Sequence, residues 1–289
     1  HTLAGVSIFY LFPSVETVMS DHPAILLTGA SRGIGAAVAH WLATVGCGLA
    51  LVARSAEELD ARAAEIAQLG GTALILPGDI ASADFCARAV ADAQAKFGRL
   101  DAVINNAGIF EPLAFTADAD PTVWQRNIAV NLLGPFYLSR AALPALRRRK
   151  GRIVNVSSGA ATRALPAAGA YCVSKAALNH FTRILAAEEP AVTAVAVRPG
   201  VVDTDMQALI RREAPAAMPA EQAAFYRRLK TEGRLEPPGI PARSIAWLAL
   251  RAPAAWSGKF LDYDAPELQR PALACFGEHP ARQNSKRTS

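Results

Sequence analysis

The stretch Thr28-Gly29-Ala30-Ser31-Arg32-Gly33-Ile34-Gly35 decides the fold of this 289-residue chain. It follows a compact apolar run at 24–28 and opens a segment of helical character at 35–44. Gly29 permits a tight turn, while Gly33 and Gly35 let the backbone approach a pyrophosphate and let the helix approach the sheet. A helix N-terminus offers free amides and a positive dipole to phosphate groups. The spacing predicts a nucleotide-binding strand, turn and helix; a purely structural glycine turn is the alternative.

Beyond this unit, short β-rich apolar runs alternate with longer helical patterns. The predicted strands are 24–28, 48–53, 72–76, 102–105, 152–157, 192–197 and 259–263, and the predicted helices are 35–44, 56–69, 83–97, 121–149, 171–188 and 242–251. Strands that are apolar throughout and separated by helices are typical of a parallel sheet covered on both faces. We therefore expect an α/β fold of the Rossmann type, with a doubly wound, parallel, seven-stranded sheet.

Prolines and changes in composition mark the other segments. Pro135 and Pro144, within the helix predicted at 121–149, indicate a bend or an irregular turn. The segment 204–241 is rich in proline and charge, interrupts the alternation, and is expected to form a substrate lid at the carboxyl ends of the strands. We expect residues 19–276 to form one domain. Residues 1–18 are then a disordered extension or an expression remnant, and residues 277–289 are a polar tail.

The composition argues against several functional classes. The net charge is +5, and the basic run at 147–150 has no interleaved aromatic residues, so we expect it to end a helix rather than to bind nucleic acid. The apolar stretch at 3–12 is too short to span a membrane and lacks the features of a secretory signal. The four cysteines are scattered, which predicts neither a metal site nor disulfides and suits a reducing, cytoplasmic location.

Two arginines predict the choice of nucleotide. Arg54 follows the second predicted strand, where an enzyme that binds a ribose 2′-hydroxyl would carry Asp or Glu. Arg32 in the glycine loop supplies a second cation nearby. Two guanidinium groups can hold a 2′-phosphate by charge-assisted hydrogen bonds. We therefore predict NADP(H) over NAD(H), with solvated surface arginines as the alternative.

Tyr171 and Lys175 are separated by one helical turn, so the phenol and the ammonium project from the same helix face. A neighbouring cation is expected to lower the pKa of a phenol and make it a usable proton donor and acceptor. Alone, this pair matches any amphipathic helix. Its position downstream of the glycine loop makes it informative.

Several ordered motifs resemble those of the short-chain dehydrogenase/reductase family over residues 24–263. Besides the glycine loop and the Tyr171–Lys175 pair they are Gly78-Asp79-Ile80, Asn105-Asn106-Ala107-Gly108, Val130-Asn131-Leu132, Ile153-Val154-Asn155-Val156-Ser157-Ser158 and Arg198-Pro199-Gly200-Val201-Val202-Asp203-Thr204. Each motif is weak alone, but their joint order makes coincidence implausible. Of the two adjacent serines we choose Ser158, because its separation from Tyr171 is the usual one in the family.

The resemblance implies a set of site residues. The implied catalytic residues are Asn131, Ser158, Tyr171 and Lys175. The implied cofactor-binding residues are Gly29, Ser31, Arg32, Gly33, Ile34, Gly35, Arg54, Asp79, Ile80, Asn106, Ala107, Gly108, Tyr171, Lys175, Pro199, Gly200, Val202 and Thr204. The expected substrate pocket is apolar and comprises Phe110, Ala164, Leu165, Met206 and Leu209, with ordinary lid or core packing as the alternative for each.

The resemblance also implies roles for the catalytic residues. Ser158 would hold a carbonyl oxygen, and Tyr171 would protonate it as general acid. Lys175 would lower the pKa of the phenol and bind the nicotinamide ribose. Asn131 would anchor a water that links Lys175 to solvent.

The expected activity is NADPH-dependent reduction of a ketone or aldehyde, and the chain looks most like carbonyl-reductase and sepiapterin-reductase-like members, including fungal ones. An oxidative secondary-alcohol dehydrogenase and a 3-oxoacyl reductase remain alternatives. A regulatory protein that senses nucleotides without turnover, and a sugar epimerase or dehydratase of the extended branch, are less consistent with the intact motifs. Family members often pair through the helices that correspond to 121–149 and 171–188, which implies a homodimer or homotetramer.

Overall fold

A single parallel β-sheet forms the centre of the protein. Its strands are β1 (Ala24–Thr28), β2 (Gly48–Ala53), β3 (Thr72–Pro77), β4 (Ala102–Asn105), β5 (Arg152–Val156), β6 (Thr193–Arg198) and β7 (Phe260–Asp262). In the computed structural model, which describes residues 22–278, the strand order is β3-β2-β1-β4-β5-β6-β7. The expected Rossmann-type α/β fold with a seven-stranded parallel sheet is confirmed.

Helices cover both faces of this sheet. The α-helices of the described residues are α1 (Gly33–Ala43), α2 (Ala56–Gln68), α3 (Ala83–Phe97), α4 (Pro121–Ile128), α5 (Gly134–Arg149), α6 (Gly169–Glu188), α7 (Asp205–Ala217), α8 (Ala220–Thr231), α9 (Gly239–Arg251) and α10 (Pro266–Phe276), of which α7 and α8 lie apart from the sheet. Successive residues of a strand point to opposite faces, so Ile25 and Leu27 pack into one core while Leu26 packs into the other. All three side chains are fully buried, which explains why the strands are apolar throughout.

The chain changes direction across the sheet between β1 and β4. The chain builds β1, β2 and β3 outward on one side, then crosses back so that β4 pairs with the other side of β1. Ligands of open parallel sheets bind at such a switch point, outside the carboxyl ends of the strands. Here the carboxyl ends of β1 and β4 lead into the glycine loop and into the segment that begins at Asn106. The topology therefore brings two of the predicted motifs together.

The helix predicted over 121–149 is interrupted, as its prolines indicated. A π-helical turn, Ala129–Leu133, separates α4 from α5, and Asn131 lies within it. Pro135 falls in the first turn of α5, where α5 does not need its backbone N–H. Because proline has no N–H, however, the carbonyl of Asn131, four residues earlier, has no α-helical donor at position 135. Pro144 lies inside α5, which continues to Arg149, so the helix is not broken at Pro144.

The segment expected as a lid consists mainly of α7 and α8. These helices contribute Ile210, Ala214 and Tyr226 to a third apolar cluster that also contains Tyr171. The predicted upper limit of this segment, 241, was too late, because α9 already begins at Gly239 and tolerates Pro241 in its first turn. Helix α10 was not predicted. The expected extension at 1–18 lies outside the described residues, as does the expected tail apart from Gly277 and Glu278.

Candidate active site

The glycine turn has the geometry of a phosphate cradle. Gly29 and Gly33 adopt positive φ angles of 64° and 56°, which favour glycine. A Cβ at Gly35 would lie 2.0 Å from the carbonyl oxygen of Gly29, so a side chain cannot be accommodated there. No side chain caps the N-terminus of α1, whereas Ser55 and Ser82 cap the N-termini of α2 and α3. The first amides of α1 are therefore available to an anion.

Thr28 and Asn106 join this turn to β4. The Thr28 hydroxyl accepts hydrogen bonds from the backbone N–H groups of Asn106 and Ala107, each at 3.0 Å. The Asn106 side-chain amide donates to the carbonyl oxygens of Thr28 and Gly29, at 2.9 and 3.2 Å. Asn106, predicted to bind the cofactor, thus shapes the cradle by holding the turn. Thr28 begins the glycine-loop motif but was not among the predicted site residues.

A cleft of about 670 Å³ opens from this turn. Of the predicted cofactor-binding residues it is lined by Gly29, Ser31, Arg32, Gly33, Ile34, Arg54, Asp79, Ile80, Asn106, Ala107, Gly108 and Thr204. Six of the predicted residues lie outside its lining, namely Gly35, Tyr171, Lys175, Pro199, Gly200 and Val202. Gly35 acts through the close backbone contact described above. The volume, the glycine cradle and the uncapped helix amides fit a dinucleotide.

Both predicted arginines face this cleft, and Arg32 has an ion-pair partner that the sequence did not indicate. Its guanidinium lies 3.1 Å from the carboxylate of Asp205, the first residue of α7, and both side chains are largely exposed.

Asp79 also lines the cleft, and its carboxylate lies 2.7 Å from the guanidinium of Arg126 in α4. Burial alone would raise the pKa of Asp79, but hydrogen bonds from the Ala81 amide and the Arg126 side chain hold it below its ordinary value. Asp79 is therefore a carboxylate at neutral pH.

Ser158, Tyr171 and Lys175 converge beside two residues that line the cleft, Gly108 and Phe110. The Ser158 hydroxyl accepts a 3.1 Å hydrogen bond from the Ala160 amide and hydrogen-bonds to the Tyr171 phenol. The Lys175 Nζ lies 5.7 Å from the centre of the Tyr171 ring and donates to the Val156 carbonyl oxygen at 2.8 Å. A Cβ built on Gly108, which lines the cleft, would lie 3.5 Å from Lys175 Nζ. The three predicted residues therefore meet behind Gly108 and Phe110, and none of them is part of the cleft lining itself.

Burial reverses one expectation about the phenol. The pKa of Tyr171 is raised to about 12, mainly because the phenolate would be desolvated, and the hydrogen bond from Ser158 opposes this only in part. Burial likewise lowers the pKa of Lys175 from 10.5 to about 8. The expectation that Lys175 gives the phenol a lowered pKa was wrong for this structure. Both side chains are almost fully buried, at 8% and 4% exposure, so desolvation outweighs the charge of the neighbour.

Asn131 is held by the backbone of the segment after β4. Its Oδ1 accepts from the Ile109 amide at 2.9 Å, and its Nδ2 donates to the Ile109 carbonyl at 2.8 Å. The same Nδ2 contacts Asn127 Oδ1 at 2.8 Å and Ser174 Oγ at 3.1 Å. A Cβ added to Gly108 would lie 3.2 Å from Asn131 Oδ1 and 3.5 Å from Lys175 Nζ, so Gly108 lies between these two side chains. The structure thus groups all four predicted catalytic residues.

The expected substrate pocket is only partly assembled from the predicted residues. Phe110, Met206 and Leu209 line the cleft, and Leu165 packs on the third apolar cluster. Ala164 is exposed and does not line the cleft, because it lies in the loop between the 3₁₀ turn at Gly159–Thr162 and α6. The Phe110 ring lies 4.7 Å from the Tyr171 ring, with a tilt of 35°.

Sequence reasoning missed several residues of the site. Asn127 lies four residues before Asn131, so their shared helix face was a usable signal. Asp205 and Tyr226 carry no comparable local signal. Tyr226 reaches the third apolar cluster, which also contains Tyr171, from α8, a helix that packs on α7.

Two absences hold for residues 22–278, the part of the chain that the structure describes. They contain no group of three or more His, Cys, Asp or Glu side chains that could hold a metal ion. None of their helices is both long enough and apolar enough to cross a membrane.

Several known proteins are similar to this chain in sequence and in fold. An uncharacterized oxidoreductase of Schizosaccharomyces pombe is 40% identical over 240 residues, which cover 83% of this chain and 95% of that protein. The Saccharomyces cerevisiae benzil reductase that forms (S)-benzoin is 34% identical over 256 residues, covering 84% of this chain and 97% of the relative. The crystal structure of an S. cerevisiae short-chain dehydrogenase/reductase matches with a TM-score of 0.82 and 36% identity, covering 86% of this chain and 98% of that chain.

The family itself is shown by the length of the match. The sequence profile described as short chain dehydrogenase matches residues 23–215, which include the glycine turn, Asn131 and the Ser158–Tyr171–Lys175 group. Proteins of this family are oxidoreductases that use a nicotinamide cofactor. With this profile match, the sequence relatives and the shared seven-stranded fold, the chain belongs to the short-chain dehydrogenase family.

Proposed function

We propose that the protein reduces a ketone or aldehyde to an alcohol with NADPH, using Tyr171 as the general acid. The observation that carries this proposal is the convergence of Ser158, Tyr171 and Lys175 beside the cleft that the glycine cradle also lines, next to the lining residues Gly108 and Phe110. A bound nicotinamide would supply the hydride. The side chains of the protein would orient the carbonyl and move the proton.

The protonation states suit the reductive direction. A phenol with a pKa raised to about 12 keeps its proton at neutral pH, so Tyr171 is ready to donate to a carbonyl oxygen. The Ser158 hydroxyl, which already bonds to the phenol, can also hold that oxygen. When the proton leaves, the hydrogen bond with Ser158 stabilises the phenolate that forms. In the oxidative direction the same phenol would first have to lose its proton.

The preference for NADPH is supported by the position of two guanidinium groups. Arg32 and Arg54 both line the cleft beside the glycine turn, and both are exposed enough to reach a 2′-phosphate. No acid stands directly after β2 to hold a ribose 2′-hydroxyl, because the strand ends at Ala53 and Arg54 follows. A lower KM for NADH than for NADPH would contradict this part of the proposal.

The apolar side chains of the cleft wall favour an apolar, aromatic carbonyl compound. Phe110, Met206 and Leu209 line the cleft, and Phe110 offers a ring face beside Tyr171. The relative named benzil reductase acts on a diaryl diketone, which supports the same class for this protein. We propose that α7 and α8 act as the lid over such a substrate, since both pack on the cluster that contains Tyr171.

The test is the Tyr171→Phe variant. It should lose at least about 100-fold in kcat, because the general acid is removed, while NADPH binding measured by fluorescence is retained. Tyr137→Phe, a change of the same kind in α5, is the matched control and should keep its activity. The assay offers ketones, aromatic diketones and acyl thioesters as substrates and follows the decrease in NADPH absorbance. An active Tyr171→Phe enzyme would refute the mechanism, and activity on acyl thioesters alone would identify a 3-oxoacyl reductase instead.

A further inference from the structure

We propose that Asn127 is a positioning residue for catalysis, which fixes Asn131 and the segment 109–111 around the reacting group. This inference rests on the proposed function, because it assumes that Asn131 and Tyr171 take part in the reaction. Asn127 lies in α4, one helical turn before Asn131, and its side chain is fully buried.

The amide nitrogen of Asn127 binds three consecutive carbonyl groups. Its Nδ2 lies 3.3 Å from the Ile109 oxygen, 3.4 Å from the Phe110 oxygen and 2.6 Å from the Glu111 oxygen. These carbonyls can only accept hydrogen bonds, so the NH₂ end of Asn127 must face them. The orientation of the amide is therefore determined by the backbone of this segment.

That orientation aims the Asn127 oxygen at two side chains near the reacting group. Oδ1 accepts from Asn131 Nδ2 at 2.8 Å and from the Ser174 hydroxyl at 2.9 Å. Ser174 directly precedes Lys175 and also lies 3.0 Å from the carbonyl oxygen of Tyr171. A buried donor that loses its acceptor is left without a hydrogen bond and without water, which is unfavourable. Asn131 and Ser174 would therefore shift if an apolar residue replaced Asn127.

The carbonyl end of this network reaches the phenol through Phe110. The Phe110 ring packs on Tyr171, and its backbone carbonyl is one of the three that Asn127 holds. Asn127 therefore restrains two groups at once: Asn131, beside Gly108 and Lys175, and Phe110, against the phenol. A buried amide that only stabilised the fold would have no need to connect both.

The first test compares Asn127→Leu with Thr182→Val, which removes a buried hydroxyl that accepts from Asn155 at 2.9 Å in a network between β5 and α6. Both variants should unfold at a lower temperature. Only Asn127→Leu should lose kcat, by about tenfold or more, with the Kd for NADPH measured by fluorescence within twofold of the parent. Equal kcat values for the two variants would overturn the proposal.

A second variant, Asn127→Asp, keeps the oxygen acceptor and is testable even if the leucine variant does not fold. A buried carboxyl that faces three carbonyls has a raised pKa. While protonated, it can donate to the Glu111 carbonyl and accept from Asn131, so kcat at low pH should approach that of the parent. As pH rises and the carboxyl ionises, its charge repels the carbonyls and kcat should fall.

The pH profile is read as the ratio of variant to parent. The segments in contact with position 127 carry Glu111, Arg126, Tyr171 and Lys175. All four are present in the parent as well, so the ratio isolates the new carboxyl. Circular dichroism at each pH corrects for unfolded protein. A ratio that does not change with pH would overturn the inference. Failure of the proposed function gives a different result, namely an active Tyr171→Phe enzyme.

Discussion

At the scale of single residues, the burial of Lys175 predicts how stability depends on pH. Its pKa is about 8 in the folded protein and returns to 10.5 on unfolding. Between these values the unfolded chain binds more protons, so the free energy of unfolding should rise with pH across this range. Relative to Lys175→Met, the parent should gain on the order of 1–3 kcal/mol between pH 8 and pH 10 in urea titrations.

The predicted rise in the free energy of unfolding applies only up to about pH 10, because above that pH the titration of Tyr171 lowers the free energy of unfolding. Its pKa is raised to about 12 in the folded state, so above its ordinary value of 10 the folded protein retains a proton that the unfolded chain loses, and stability falls. The exposed Lys96→Met variant accounts for the general loss of a positive charge. A difference between parent and Lys175→Met that is flat from pH 8 to pH 10 would contradict the buried ammonium.

At the scale of elements, the Arg32–Asp205 pair links the N-terminus of α1 to the N-terminus of α7. If NADPH binds as proposed, the Asp205 carboxylate would compete with the 2′-phosphate for the Arg32 guanidinium and would also repel that phosphate. Exposed pairs contribute up to about 1 kcal/mol, so Asp205→Asn should tighten NADPH binding by about two- to fivefold. Titration of cofactor fluorescence with NADPH and with NADH measures the effect, and NADH should change less.

Glu213→Gln is the matched control, since it neutralises the acid of another exposed ion pair in the same helix, the pair with Arg212. It should leave both cofactor affinities unchanged. Equal tightening of NADH and NADPH in Asp205→Asn would show that Arg32 does not discriminate between them.

At the scale of the whole molecule, the outer surfaces of α5 and α6 present apolar side chains to solvent. Phe136 is 40% exposed, Val173 is 52% exposed and Ile184 is 40% exposed, and the Phe136 ring contacts Phe181 across the two helices. We propose that two copies pair through this face, as the family resemblance implied. Phe136→Glu should then give a monomer in light scattering after size exclusion, because an unpaired charge is costly to bury.

Leu273→Glu in α10 is the control, since Leu273 is 37% exposed on a different helix and should leave the assembly intact. A parent protein that is monomeric at micromolar concentration would contradict the pairing.

Much of the fold was predictable because its signals are local. The bounds of β1, β2, β4 and α3 agree with those predicted, since each follows from a short apolar run or a helical period. Helix α10 escaped prediction because Pro271 lies inside it and its buried side chains, Leu268 and Ala272, are few. The π-helical turn was predictable as an irregularity, from Pro135, but not as a π turn that contains Asn131.

The sequence by itself determined the seven strands, most of the helices, the glycine turn and the one-turn spacing of Tyr171 and Lys175, because backbone propensity and i+4 spacing act over a few residues. Ser158 was identified through the resemblance of its motif to that of the family. Only the tertiary structure decided the pKa of Tyr171, the partner of Arg32 and the contacts of Asn127. Each of these depends on burial or on groups from distant segments. Desolvation and hydrogen bonding respond to such surroundings, which local spacing does not specify.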